Sequence, residues 1–248
     1  MTLAVKWMGI DMGECLMDVT PRRGHSLAGD TAKLIGQPGL TEQSTHRWRV
    51  LREKYGSVPV VLERHKTELI EYLFDGNEEA ARAFLEVEQE YLRLAPGAKE
   101  ALACLRDQGM RLSVVTAAKS TLGPIEKATE VTFLRRHDVL QYFDEVVTPL
   151  GRLRLSDGAV DERYRGTSKE EGTIYDVLVE DLASIGIEPS EGLMMGDKEW
   201  TDIAPAKQRG LKTILYAGYI CRGPTVADAV AHRFSELKEI VRFKSSVN

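Results

Sequence analysis

Five short apolar segments, separated by long stretches with helical periodicity, constrain the fold of this chain more than any other feature. The segments are Val5–Ile10, Arg111–Val115, Glu145–Thr148, Leu193–Met195 and Thr213–Tyr216. They have the length of strands, and their apolar residues run on rather than alternate, which indicates burial on both faces. Strands of this kind that alternate with helices predict an α/β fold with a parallel sheet covered on both sides.

Two amphipathic helices illustrate the alternation. The first precedes Arg111–Val115, and the second, Ile174–Ile185, precedes Leu193–Met195. Each leads directly into its strand, as expected for repeated strand–helix–strand units. The apolar residues of the first helix follow the i, i+3, i+4, i+7 spacing of a single buried face; they are Ala98, Ala101, Leu102 and Leu105.

Residues 17–95 break this alternation, because they contain no convincing strand. Turns rich in glycine and proline separate four helical patterns there. We predict a helical module inserted after the first strand, within a core formed by residues 1–16 and 96–248; further helices of a single domain are the alternative. The four predicted helices are Leu27–Ile35, Glu42–Tyr55, Val60–Phe74 and Glu78–Leu94.

Composition narrows the class of protein but not its chemistry. The 248 residues carry a net charge of −5, and 43% of them are hydrophobic, which is ordinary for a globular protein. The mild acidity gives no support for a nucleic-acid partner, and no apolar run approaches the roughly 20 residues of a membrane span. Because Cys15, Cys104 and Cys221 lie far apart, we expect a reduced, cytoplasmic setting rather than a disulfide framework.

Polar side chains follow three of the predicted strands. Asp11 follows the first strand, Thr116 the second and Asp197 the fourth, with Asp202 five residues later. Ligands of open parallel sheets bind beyond the carboxyl ends of the strands, so these side chains should converge. An isolated aspartate at such a place is more often a turn or helix cap. Two facing carboxylates repel each other unless a cation lies between them, and oxygen ligands suit Mg²⁺.

Lys169 adds a cation to this set. It lies just before the Ile174–Ile185 helix. Taken alone, a lysine there is ordinarily a solvated surface charge. Beside a phosphate and two aspartates, it would offset negative charge and position the anion.

These elements, in this order, resemble the haloacid dehalogenase (HAD) superfamily, which consists largely of Mg²⁺-dependent phosphohydrolases. Asp11 corresponds to the nucleophile of motif I, Thr116 to the phosphate-binding residue of motif II and Lys169 to the lysine of motif III. Gly196–Asp202 matches the Gly-Asp-x-x-x-x-Asp form of motif IV, the most specific of the four. The inserted helices look like a C1 cap. The resemblance therefore implies a Rossmann-like parallel core with an inserted α-helical cap.

The resemblance also implies a metal site and a covalent intermediate. Mg²⁺ would be held by Asp11, Asp197, Asp202 and the backbone carbonyl of Gly13. The carboxylate of Asp11 would attack phosphorus to form an aspartyl-phosphate, which water then hydrolyses. The second aspartate of motif IV, Asp202, would contact the metal through water or orient Lys169.

A phosphate site is implied beside the metal. Thr116, with the adjacent Ala117, and Lys169 would bind the phosphoryl group, and Lys169 would neutralise the charge that develops during transfer. The expected partner is therefore a small phosphorylated metabolite. Monomer and homodimer are both left open.

One departure from the family pattern affects the expected chemistry. Phosphatases of the family usually carry a second aspartate two residues after the nucleophile, as general acid and base, and here that position is Gly13. General acid–base help is typically worth 10²–10⁴-fold. Either the substrate has a good leaving group, or Glu14 replaces the acid through a local turn, or the cap supplies the group, or the protein binds without hydrolysing.

The family offers one further alternative. Phosphonoacetaldehyde hydrolases of this superfamily also lack the second aspartate and use a cap lysine as a Schiff base. Lys33, Lys54 and Lys66 are the candidate positions here, and none is marked by a local pattern.

Overall fold

The structure is a computed structural model that describes residues 2–21, 24–56, 65–119, 121, 124–219 and 223–244. Cys221, residues 60–64 of a predicted helix and the side chain of Lys66 lie outside this set. The predicted α/β class is confirmed, since the central eight-stranded sheet is mainly parallel and helices lie between its strands along the chain.

Twelve strands and nine α-helices are described. The strands are β1 (Leu3–Val5), β2 (Trp7–Ile10), β3 (Met17–Asp18), β4 (Arg93–Leu94), β5 (Arg111–Val115), β6 (Glu145–Thr148), β7 (Gly151–Arg154), β8 (Val160–Asp161), β9 (Gly192–Gly196), β10 (Lys212–Tyr216), β11 (Ala229–Ala231) and β12 (Val241–Phe243). The helices are α1 (Gly24–Leu34), α2 (Leu40–Tyr55), α3 (Lys66–Phe74), α4 (Glu78–Tyr91), α5 (Ala98–Asp107), α6 (Thr129–Arg136), α7 (Thr173–Ser184), α8 (Ala204–Gln208) and α9 (Leu237–Ile240).

The main sheet has eight strands in the order β11-β10-β9-β2-β5-β6-β7-β8. Neighbours from β11 to β6 are parallel, and β7 and β8 add an antiparallel edge. All five apolar segments contribute strands to this sheet. The order brings the first strand of the sheet, β2, between β5 and β9, so strands far apart in sequence meet at its centre.

The prediction of one strand over Val5–Ile10 was wrong in one respect. The predicted strand is interrupted at Lys6, whose backbone N–H donates to the carbonyl of Glu191 at 2.7 Å. The Lys6 ammonium lies 3.0 Å from the Glu191 carboxylate. Consequently β1 pairs in parallel with β12, and only β2 enters the main sheet.

The chain forms two compact units. The first comprises Met1–Asp18, Leu94–Ala117 and Leu134–Asn248, and it contains the main sheet. Its core on one face of the sheet includes side chains of α7, such as Ile174 and Leu178, packed with strand residues. Buried apolar area of this kind contributes roughly 25 cal/mol per Å² to stability.

The second unit is helical. It comprises Val19–Arg93 together with Ala118–Phe133, a segment that follows soon after β5. Helix α4 is preceded by Asn77, whose side chain accepts hydrogen bonds from the backbone N–H groups of Glu79 and Ala80, as expected of an N-cap. Within the described residues, no helix has the length and apolar character needed to span a membrane. The core of this unit consists of Leu27, Ala28, Trp48, Leu51, Leu69, Ile70, Leu73, Phe74, Ala80, Phe84 and Val87.

Candidate active site

Strand register brings three of the predicted site residues to one edge of the main sheet. Ile10 at the end of β2 is opposite both Val114 of β5 and Met195 of β9. Asp11, Thr116 and Asp197 therefore follow three adjacent parallel strands at the same edge. The backbone N–H of Asp11 donates to the carbonyl of Met195 at 2.8 Å, which fixes where the first carboxylate enters the site.

Three carboxylates meet at this edge. Oxygen atoms of Asp11, Asp197 and Asp202 lie within 4.8 Å of one another. The residues are only 6%, 3% and 1% exposed, respectively. Because buried like charges at such a distance repel strongly, the cluster needs compensating positive charge.

Lys169 supplies part of that charge. Its Nζ donates to Oδ1 of Asp11 at 2.6 Å and to the carbonyl of Val115 at 3.1 Å, and it forms an ion pair with Asp202. The side chain is 1% exposed. A single ammonium thus joins the end of β2, the end of β5 and the turn after β9, directly beside Thr116. Thr116 itself is buried and donates its backbone N–H to Val147 at 3.0 Å, while Ala117 is half-buried.

The carboxylate of Asp202 is held by its own turn. Residues Glu199–Ile203 form a π-helical turn, a geometry that often occurs at functional sites. Oδ2 accepts from the backbone N–H of Lys198 at 3.0 Å and from Oγ1 of Thr201 at 3.1 Å. A Cβ at Gly196 would lie 2.4 Å from the carboxylate carbon of Asp202, so the glycine makes room for this side chain.

A tight turn follows Asp11 and carries Gly13 and Glu14. The backbone N–H of Glu14 donates to the carbonyl of Met17 at 3.0 Å, and its φ is 58°, in the left-handed region. Oε2 of Glu14 lies 3.7 Å from Nζ of Lys198, which is also 3.7 Å from Oδ1 of Asp197. Gly13 is half-buried in the same turn. The turn that a role for Glu14 requires is therefore present.

Lys198 is the residue that sequence reasoning missed. It directly follows Asp197 in the sequence, and it is recognised only from its position beside the carboxylates of Glu14 and Asp197. Its charge lowers the pKa of both Asp11 and Asp197, although not by enough to offset burial. The site thus has a second, partly exposed cation besides Lys169.

Without further positive charge, the electrostatics of the cluster favour the protonated forms of Asp11 and Asp197. Burial raises the pKa of Asp11 to about 6, against the opposing effect of Lys169. Burial, together with the charge of Asp11, raises the pKa of Asp197 to about 8. Burial alone would lower the pKa of Lys169, but Asp11 and Asp202 hold it well above its usual range, so this ammonium stays charged.

The donor set fits a divalent cation. Among the described residues, the three carboxylates are opposed by the buried ammonium of Lys169 and the partly exposed ammonium of Lys198, so the ionised cluster carries an excess of negative charge. The ligand atoms are hard oxygens, which Mg²⁺ and Ca²⁺ prefer over softer ligand atoms. Both oxygens of Asp202 already contact protein groups, whereas Asp11 and Asp197 lie at the strand ends where ligands bind.

Without a metal ion, the protein is expected to lose stability as the pH rises from about 5 to about 9. The pKa values of Asp11 and Asp197 are raised in the folded state, to about 6 and about 8, so the folded chain holds protons that the unfolded chain releases. Their stabilising contribution is complete below about pH 4 and is lost as the pH rises through the two folded-state values. Urea unfolding in a chelator at several pH values measures this.

Two controls accompany that titration. Asp197→Asn removes the group with the higher pKa, so the loss of stability between about pH 7 and 9 should shrink in this variant. Added Mg²⁺ should raise the unfolding midpoint more at about pH 8 than at about pH 5.5. A metal-free wild type whose stability stays flat across this range would contradict the electrostatic description.

Comparison with known proteins adds independent evidence of relationship. The model of the haloacid dehalogenase-like hydrolase family matches residues 10–210. Among curated proteins, a glyceraldehyde 3-phosphate phosphatase from Pyrococcus abyssi is 29% identical over 126 residues, which are 51% of this chain and 43% of that relative. The chain thus aligns with less than half of the length of this relative.

Solved structures show the same fold in enzymes named for different reactions. A HAD phosphatase from Thermococcus onnurineus has a TM-score of 0.64 at 21% identity, over 94% of this chain and 96% of that one. A 2-haloacid dehalogenase from Pseudomonas syringae has a TM-score of 0.59 at 19% identity, over 95% and 97%. The family match extends over most of the sequence, and Asp11, Thr116 and Asp197 lie at one edge of the sheet as predicted. The chain therefore belongs to the haloacid dehalogenase-like hydrolases.

Proposed function

We propose that this protein is a Mg²⁺-dependent phosphohydrolase that acts on a small phosphorylated metabolite through an aspartyl-phosphate on Asp11. The observation that supports this most directly is the contact of Lys169 with Asp11, at 2.6 Å, inside a cluster of three buried carboxylates. A carboxylate poised at a strand end beside a fixed cation can attack an anionic phosphoryl group without facing its full charge. The partial match to a glyceraldehyde 3-phosphate phosphatase supports the same reaction class.

The metal site would use Asp11, Asp197 and the backbone carbonyl of Gly13. When bound, Mg²⁺ supplies positive charge that offsets the repulsion between the carboxylates and the incoming phosphate. Asp202 would act on Lys169 rather than on the metal directly, since Lys169, Thr201 and the backbone of Lys198 occupy its two oxygens.

The chain's own residues would carry the two chemical steps. In the first, a carboxylate oxygen of Asp11 forms a bond to phosphorus, and the bond from phosphorus to the leaving oxygen breaks with its electron pair. Thr116, Ala117 and Lys169 would bind the other phosphoryl oxygens. They would thereby hold the bond to the leaving oxygen in line with the attacking carboxylate. In the second step, water attacks the aspartyl-phosphate, releases inorganic phosphate and regenerates the carboxylate of Asp11.

The replacement of the usual acid by Gly13 bears on the substrate. The departing oxygen carries negative charge unless it is protonated, so we propose that substrates with stable leaving groups, such as acyl phosphates, react fastest. Glu14 is the side chain of the same turn that could donate a proton, and its carboxylate lies on the site side, near Lys198. These two explanations make different predictions for one substitution.

We expect Gly13→Asp to raise kcat on alkyl phosphates by about 10²-fold while changing turnover of acetyl phosphate little, because only the poor leaving group needs the proton. The φ of Gly13 lies outside the left-handed region, so an aspartate is compatible with the backbone. Steady-state kinetics on both substrates measures the effect. Rapid turnover of alkyl phosphates by the wild type, lost in Glu14→Gln, would instead assign the acid to Glu14.

A phosphonatase-like reaction has less support from the described residues. A Schiff-base lysine must lose its proton, which requires burial or a neighbouring cation. Lys33 is 65% exposed and paired with Asp30, and Lys54 is 58% exposed and paired with Glu68. The hydrogen bond to Glu68 raises the pKa of Lys54, the opposite of what that chemistry needs.

We propose that residues 17–95 form the cap that selects the substrate. The experiment that tests the whole proposal is release of inorganic phosphate from p-nitrophenyl phosphate, acetyl phosphate and a panel that includes triose phosphates, with and without Mg²⁺. Mg²⁺-dependent turnover of at least one compound supports hydrolysis. Failure across the whole panel would favour a protein that binds phosphate or a partner without turnover.

A further inference from the structure

Tyr175 connects the segment that carries Lys169 to the turn that carries Asp202. It lies in the first turn of α7 and is fully buried. Its hydroxyl donates to the backbone carbonyl of Thr201 at 2.8 Å, inside the π-helical turn. Burial raises the pKa of Tyr175 well above its usual range, so the hydroxyl stays a neutral donor.

Arg209 makes a second connection between the same two segments. It directly follows α8, the helix that continues the π-helical turn. Its guanidinium donates to both carboxylate oxygens of Asp176, at 2.9 and 3.1 Å, and to the carbonyl of Glu171 at 3.1 Å. A Cβ at residue 172 would lie 2.2 Å from Nη1, so Gly172 is what lets the guanidinium lie against this loop.

These contacts matter because the position of the Lys169 ammonium is fixed by several partners at once. Its ammonium is shared among Asp11, Val115 and Asp202, which belong to three separate segments of the first unit. The backbone of Lys169 is carried by the loop before α7, and Asp202 by the π-helical turn. A shift of either segment would lengthen at least one of the three contacts, and a misplacement of about 1 Å can cost about 10²-fold in rate.

We propose that Tyr175 and Arg209 are positioning residues that hold the Lys169 loop against the Asp197–Asp202 turn, and thereby set where the Lys169 ammonium meets Asp11. The expected effect on kcat rests on the proposed function, whereas the expected effect on the position of Lys169 does not. Neither side chain would touch the substrate. Both act through Lys169 and Asp202.

The kinetic test compares two tyrosine-to-phenylalanine substitutions. Tyr175→Phe removes only the hydroxyl, and we expect kcat on the best substrate to fall by about tenfold while KM changes by less than about threefold. Tyr164→Phe is the matched control, because Tyr164 is also fully buried and donates to a single acceptor, Asp181, at 2.7 Å. It should leave both constants within about twofold.

Arg209 is tested in the same assay. Arg209→Lys keeps the charge but loses the fork that reaches both Asp176 and Glu171, and we expect a fall in kcat like that of Tyr175→Phe. Equal effects of Tyr175→Phe and Tyr164→Phe on kcat would show that loss of a buried hydroxyl matters only for stability. That outcome would overturn the inference.

A second test does not depend on activity. In metal-free protein, a double-mutant cycle in urea unfolding pairs Tyr175→Phe with Lys169→Met. We expect a coupling of at least about fivefold in the unfolding equilibrium constant, since the two groups stabilise one arrangement. The cycle of Tyr164→Phe with Lys169→Met should show none. If the wild type hydrolyses nothing, the proposed function fails, but this coupling still decides the positioning role; additive effects would reject it.

Discussion

Asp11→Asn is expected to abolish phosphate release, by roughly 10⁴-fold or more, because an amide oxygen cannot act as the attacking nucleophile. The substitution changes the shape of the side chain little and leaves Lys169 its ion pair with Asp202. Since burial already raises the pKa of Asp11, loss of its charge should not unfold the protein. The measurement is Mg²⁺-dependent release of phosphate from acetyl phosphate and p-nitrophenyl phosphate.

Chemical trapping tests whether the reaction passes through an acyl phosphate on the protein. With labelled substrate, the wild type should yield a phosphorylated protein that hydroxylamine cleaves, as an acyl phosphate is cleaved, and Asp11→Asn should yield none. Asp18→Asn, a change to a half-buried carboxylate of the same segment, is the matched control and should retain activity. Residual turnover by Asp11→Asn near the wild-type rate would mean that water attacks phosphorus directly.

Lys169→Met should have the second largest effect, on stability as well as on activity. Removal of the ammonium leaves Asp11 and Asp202 buried without their partner, a change that typically costs about 3–5 kcal/mol. The loss should be greater near pH 8 than near pH 5, because the pKa of Asp11 is raised by burial to about 6 and its carboxylate is ionised at the higher pH. We also expect kcat to fall by about 10²–10³-fold, as when one group that stabilises developing charge is removed.

Lys212→Met is the control for Lys169→Met. Lys212 is half-buried and donates to the carbonyl of Ala4 at 2.7 Å, away from the carboxylate cluster. Urea unfolding at two pH values, with kinetics on the same preparations, compares the two variants. A loss of stability in Lys169→Met that does not depend on pH would indicate a packing defect instead of exposed repulsion between carboxylates.

Local sequence patterns predicted five of the eight strands of the main sheet. Apolar segments such as Arg111–Val115 and Glu145–Thr148 match their strands residue for residue, because a strand buried on both faces leaves a continuous apolar pattern. The clustering of Asp11 with Asp197 followed from the same reasoning, since parallel neighbours bring their carboxyl ends to one edge. The resemblance to the haloacid dehalogenase superfamily was drawn from the identities of these residues and their order along the chain.

Features that depend on distant partners were beyond the reach of such patterns. At the break, Lys6 contacts Glu191, which lies far along the chain, and β1 pairs with the still more distant β12. The π-helical turn depends on hydrogen bonds that periodicity does not reveal. The second cation, Lys198, becomes visible only when Glu14 and Asp197 are placed beside it.

The strand order also has a consequence for how the chain folds during synthesis. The central strand β2 ends at Ile10, but one of its two neighbours, β9, begins only at Gly192. At roughly 5–20 residues per second, the ribosome needs about 10–40 s to supply it. During that interval an apolar strand has an unpaired edge, while the helices of Val19–Arg93 can form from local contacts. We therefore expect nascent chains to depend on chaperones until β9 emerges.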